Sequence, residues 1–113
     1  MSTTDRLTIE TPGGQGGATI RVAGRVVIDT SPQLRTALLN EIRDRAGSAL
    51  VIDVAGVTYL DTSGIATLLE ASQLARACAV RLRVSGLTGE PKLLADITEL
   101  GRIFSALGSE VDR

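Results

Sequence analysis

The chain has 113 residues, enough for one hydrophobic core and too few for two. Apolar residues make up 43% and aromatics only 2%, so an aliphatic core is expected, of the kind that suits a parallel sheet covered by helices. The net charge of -1 comes from 12 basic and 13 acidic residues interspersed along the chain, which argues against a nucleic-acid binder. One cysteine and no histidine exclude an intrachain disulfide, a Ser-His-Asp or Cys-His centre and the usual zinc ligand sets.

The first ten residues, MSTTDRLTIE, hold no apolar stretch of the sort that opens a secretory signal. The apolar runs further on are far shorter than a membrane span, so a cytoplasmic protein without direct membrane insertion is expected. Residues 6–12, RLTIETP, alternate Leu7 and Ile9 with polar residues as a half-buried edge strand does. GGQGG at 13–17 reads as a turn, and ATIRVAG at 18–24 resumes the alternation, so the two segments predict a hairpin. GGQGG lacks the Lys-Ser/Thr of a phosphate loop and precedes a strand, which removes that reading.

Ser31 is a candidate N-cap and Pro32 stands where proline opens a helix. Leu34, Ala37, Leu38, Ile42 and Ala46 then repeat at helical spacing up to Gly47, while Arg35, Glu41, Arg43, Asp44 and Arg45 supply the solvated face. ALVIDVAG at 49–56 is a continuous aliphatic run, the mark of a central strand. Asp53 within it needs a hydrogen-bond partner or an exposed edge. A second helix is predicted over 63–79 on Ile65, Leu68, Leu69, Ser72, Leu74 and Ala75, with Cys78 as a small hydrophobe near its end. A strand follows at 80–86, a third helix from about 91 to 100, and a short last helix at 103–107. The order β-β-α-β-α-β-α-α predicts right-handed crossovers and a mostly parallel sheet in a single domain, with fraying confined to the ends.

The informative junction is VTYLDTSGIATLLEA, residues 57–71. An apolar run stops at Asp61-Thr62-Ser63-Gly64 and an apolar helical pattern begins at once. Asp, Thr and Ser all favour helix N-caps, and Gly64 suits a tight turn or a close packing contact. The same residues also place a hydroxyl at the head of a helix, where free N–H groups and the macrodipole tolerate an anion. Capping and presenting a hydroxyl are compatible. An aspartic-protease reading fails because Ser63 stands where its Asp-Thr-Gly needs glycine, and helices replace its strand-rich body.

LVIDVAGVTYLDTSGI, residues 50–65, together with LLEASQLARACAVRLRVSGL after it and ITELGRIF near the end, resembles the STAS domain. More narrowly it is similar to the small free-standing anti-sigma factor antagonists of bacteria, over about residues 6–107 of a single domain. The resemblance implies an α/β STAS fold: a mostly parallel sheet of four to five strands with an antiparallel N-terminal edge strand, packed by about four helices. It implies a non-enzymatic module that binds an anti-sigma factor with serine/threonine kinase activity and releases the sigma factor. Carried over residue by residue, Thr62 is the phosphoacceptor, with Ser63 the second choice, and Asp61, Thr62, Ser63, Gly64 and Ile65 form the docking surface. A phosphatase resets the switch. The antagonist itself needs no cofactor, since ATP and magnesium belong to the kinase, and it is expected to be a monomer or weak dimer.

The chain departs from the family in one place. Switch proteins often carry an acid in the pattern GxhD, on the surface that faces the kinase, whereas GRVVID places Val27 there and Asp29 two residues later. Some STAS domains instead serve as cytoplasmic accessory subunits of lipid-transport ABC systems, binding the ATPase subunit, or sit in larger signalling assemblies. These keep Ser or Thr after the aspartate and drift at the acidic position. Both readings use the same surface and differ in the partner.

Overall fold

Strand β1 (Thr8–Glu10) runs antiparallel to β2 (Thr19–Val26), with Ile9 opposite Val22, as the hairpin reading requires. The computed structural model describes residues 6–11, 19–86, 92–93, 102, 104–106 and 108–112. The GGQGG turn lies outside these. After β2 come helix α1 (Ser31–Asp44), strand β3 (Ala49–Leu60), helix α2 (Thr62–Ala77) and strand β4 (Arg81–Ser85), then the short strands β5 (Lys92–Leu93) and β6 (Glu110–Asp112).

The strands line up as β1-β2-β3-β4-β6, all parallel except β1, while β5 pairs with Tyr59 and Leu60 at the far end of β3. Both crossovers, β2-α1-β3 and β3-α2-β4, step in the same direction, which puts α1 and α2 side by side on one face of the sheet. Ile20, Val22, Val26, Leu50, Ile52, Val54, Leu82 and Val84 point into the core beneath them. Arg21, Arg25, Arg81 and Arg83 alternate with these residues and are exposed. From α1 the core takes Leu34, Leu38 and Ile42, and from α2 Leu68, Ala71 and Ala75; Phe104 is fully buried. Each large aliphatic side chain so buried contributes roughly 1.5–3 kcal/mol.

Three expectations need correction. Thr30, not Ser31, is the N-cap of α1; Ser31 is the first helical residue and is buried. The Thr30 hydroxyl caps nothing, because it accepts the Val27 N–H at 2.9 Å and donates to the Arg25 carbonyl at 2.8 Å, closing the turn that leaves β2. Helix α1 also stops at Asp44, short of Gly47, whose N–H instead donates to the Cys78 carbonyl at 3.0 Å. Cys78 itself is half-buried against the core. Finally, Lys92 and Leu93 are strand residues, so no helix begins at 91; the rest of that expected helix, 94–100, lies outside the described residues.

Strand β3 is longer than the 49–56 predicted. Its register with β2 shifts twice: Arg21 faces Asp53, Ala23 faces Gly56 and Arg25 faces Tyr59. Each shift adds one residue to β3 and turns the following side chains over. Val54, Val57 and Leu60, three apart, therefore all point inward. At the first shift a Cβ on Gly56 would come within 2.8 Å of the Ala23 Cβ, so only glycine fits. Asp53 satisfies one carboxylate oxygen with the Ala55 N–H at 2.9 Å and lies 4.0 Å from Arg21.

Candidate functional site

The parallel pairing of β2 with β3 brings the ends of both strands to one rim of the sheet, where the β2–α1 turn and the head of α2 lie side by side. The Asp61 N–H donates to the Val26 carbonyl at 3.1 Å, extending the pairing one residue beyond β3. Asp61 has extended backbone and is the N-cap of α2. Its Oδ1 accepts the Gly64 N–H at 3.0 Å and the Ser63 hydroxyl at 2.6 Å. Its Oδ2 accepts the Ile28 N–H, across from the other loop, at 3.2 Å.

These donors hold the Asp61 carboxyl below the usual carboxylate range: the Ser63 hydroxyl lowers it most, partial desolvation opposes this, and the N–H groups of Gly64, Ile28 and Ser63 each lower it by less. A carboxylate with both oxygens engaged is a structural clasp rather than a proton acceptor for a neighbour.

The two hydroxyls differ. Thr62, the first residue of α2, is exposed and its hydroxyl has no partner among the described residues. Ser63 is half-buried, and its hydroxyl proton is committed to Asp61. The Ser63 carbonyl accepts the hydroxyl of Thr67, which is buried one turn on.

Gly64 is buried rather than displayed. A Cβ there would come within 2.5 Å of Leu60 Cδ1, 2.8 Å of Val26 Cγ1 and 3.0 Å of the Val26 carbonyl oxygen, so glycine lets the helix start directly against the strand ends. Ile65 is half-buried and packs on the core. The junction thus brings Asp61, Thr62 and Ser63 together at the surface and places Gly64 and most of Ile65 beneath it. Sequence reasoning missed Ile28, which is 73% exposed, the one large hydrophobe so exposed among the described residues. The signal was present: Val26, Val27 and Ile28 are three apolar residues in a row where an alternating strand should end.

Further along the helices, Arg35 of α1 and Glu70 of α2 form a two-pronged ion pair with both N–O distances at 2.7 Å. Each pulls the other's titration away from its ordinary value, Glu70 down and Arg35 up, chiefly through the hydrogen bonds. On the opposite face of the sheet the Arg25 guanidinium stacks 4.7 Å from the centre of the Tyr59 ring, its register partner. Two recesses lined by described residues, of about 380 and 200 Å³, lie away from the junction: one along Ala49, Val51, Arg81 and Arg83, the other around Arg21, Asp53 and Gly56.

Solved structures of anti-sigma factor antagonists are similar to this chain in fold. An anti-sigma factor antagonist from Mycobacterium paratuberculosis superposes with a TM-score of 0.60 at 20% identity, over 95% of this chain and 98% of that one. An antisigma-factor antagonist STAS domain from Rhodobacter sphaeroides gives 0.59 at 23% identity, over 76% and 90%. The anti-sigma factor antagonist SpoIIAA in its unphosphorylated form gives 0.57 at 16% identity, over 82% and 91%. Residues 11–107 match the family described as "Mlab, STAS domain". With that match spanning most of its length, the chain belongs to the STAS domain family.

Proposed function

We propose that this STAS domain is a non-enzymatic anti-sigma factor antagonist. Its unmodified form binds an anti-sigma factor with serine/threonine kinase activity and frees the sigma factor. The observation that carries the reading is the division of labour at the head of α2: Asp61 and Ser63 are tied into the cap, and Thr62 alone offers an exposed, uncommitted hydroxyl. In the proposed modification the Thr62 Oγ1 forms a bond to the γ-phosphorus of ATP held by the kinase. The bond to ADP breaks, and the hydroxyl proton leaves to a kinase base. The product carries about -1.5 to -2 charge beside Asp61, at a helix terminus that accepts an anion without refolding. A like-charge and desolvation penalty of ~3 kcal/mol at the interface would weaken binding roughly a hundredfold, and a phosphatase restores the binding form.

The topology supports a docking surface. Both crossovers place their helices on one face of the sheet, so no reversal of strand order opens a ligand crevice between β2 and β3 at this rim. A second reading, a constitutive accessory subunit on a lipid-transport ATPase or within a larger assembly in the cytoplasm, is favoured by one observation. The loop that carries an acid in switch proteins here holds Val27 and the exposed Ile28.

Intact mass of the protein recovered from its own cells, with peptide mapping across residues 49–76, separates the two. A fraction heavier by one phosphate at Thr62 is expected. A Thr62 that stays unmodified even with the cognate kinase and ATP supplied would overturn the switch and leave the constitutive docking site.

A further inference from the structure

Asp61 touches both halves of the rim, and its contacts are unequal. Oδ1 is anchored within its own helix by the 2.6 Å bond from Ser63 and the 3.0 Å bond from Gly64. Oδ2 reaches across 33 residues of sequence to the Ile28 N–H at 3.2 Å, the longest of the three. On its own side, the β2–α1 turn is closed by bonds from the N–H groups of Thr30 and Ser31 to the Val27 carbonyl and by the Thr30 hydroxyl. Those bonds involve the neighbours of Ile28; its own N–H is held by Asp61.

We infer that Asp61 is a positioning residue that relays charge at Thr62 to Ile28, so that an anion on Thr62 also changes how the exposed Ile28 side chain is presented. This rests on Thr62 being the site of modification. An anion at residue 62 is next in the chain to the Asp61 carboxylate, at the helix head to which Oδ1 is tied. Like charges repel, and the carboxylate yields where it is least anchored, at the long bond to Ile28. The tight Oδ1 bonds keep the helix capped while the β2–α1 turn is let go. A partner that seats Ile28 in an apolar socket would then sense modification twice, through the charge on Thr62 and through the altered position of Ile28.

The test needs neither kinase nor partner, which separates its failure from failure of the switch. In ¹⁵N-labelled full-length protein, the hydrogen-exchange rate of the Ile28 amide is compared between Thr62→Glu and its neutral counterpart Thr62→Gln. The same pair is then compared in the Asp61→Ser background, and again in Asp61→Asn, which keeps an oxygen for the cap should the serine variant fold poorly. Protection of the Leu68 and Ala71 amides reports that the helix is intact. The relay predicts exchange at Ile28 roughly three- to tenfold faster with Glu than with Gln, the range that weakening one hydrogen bond allows, and no such difference once Asp61 is replaced. An equal difference with and without Asp61, or none in either, overturns the inference.

Discussion

Asp61 shows how much one side chain carries at this rim. Replacing it with alanine removes the N-cap of α2 and should cost about 1 kcal/mol, read as a shift of the urea midpoint at constant slope. The pH dependence has a definite sign. Because the folded protein holds the Asp61 carboxyl below its ordinary value, the unfolded chain takes up the proton first. The stabilisation is fully present above the unfolded value of about 3.9, and is lost as pH falls through the lower folded value. Urea midpoints measured from neutral pH downward should therefore fall more steeply below about pH 4 for the native protein than for Asp61→Asn, by a modest amount since the carboxylate is near solvent. Gly64→Ala should destabilise by about 1–3 kcal/mol, because the added carbon meets the side-chain ends of Leu60 and Val26, both confined in the core, and the Val26 carbonyl oxygen. That one of Asp61, Thr62 and Ser63 caps the helix was legible from Asp-Thr-Ser-Gly alone; that it is Asp61 was not. The bond from Ile28 to Asp61 was not, since no local pattern announces a contact between residues 33 apart.

Among the elements, legibility followed periodicity. Helix α1 was readable because Leu34, Leu38 and Ile42 repeat every fourth residue, and the first half of β3 because an aliphatic run begins at Ala49. The second half of β3 was not readable, because its two register shifts space Val54, Val57 and Leu60 by three, a period that belongs neither to a strand nor to a helix. Strands β5 and β6, of two and three residues, are too short to show any period and exist through pairing with β3 and β4. The N-cap of α1 was misplaced by one residue because Ser and Thr are equivalent as local signals, and only the folded turn decides which hydroxyl is spent on Arg25 and Val27. Helix α2 is tied to the segment before β6 by the buried pair of Ser72 and Ser109, whose hydroxyl oxygens lie 2.5 Å apart. Ser72→Ala should cost roughly 1–3 kcal/mol by stranding the Ser109 hydroxyl, while Ser72→Ala with Ser109→Ala should cost less than the single change. A double-mutant cycle by chemical denaturation checks this.

At the scale of the molecule, an aliphatic sheet with two helices on one face leaves little redundancy in the core. Phe104, fully buried, is the chain's single phenylalanine, and Phe104→Ala should cost about 3–5 kcal/mol, a large part of the roughly 5–15 kcal/mol typical of a domain. Thermal unfolding of the native protein and the variant at matched concentration measures it. The composition anticipated this dependence on Leu, Val, Ile and Ala, though not where the lone phenylalanine would sit. The two register shifts in β3 have a further consequence for how the chain tolerates changes of length. Between Arg21 and Val26 strand β2 advances five residues while β3, from Asp53 to Leu60, advances seven. The surplus pair is what delivers Leu60 to the core and Asp61 to the rim in phase with the end of β2. Loss of a single residue between 54 and 59 would turn Leu60 outward and swing Asp61, Thr62 and Ser63 away from Ile28, although every one of those residues was still present in the gene product. The surface is therefore specified by a count along β3 as much as by its own four letters, and relatives that keep the letters but change the count should not share its partners.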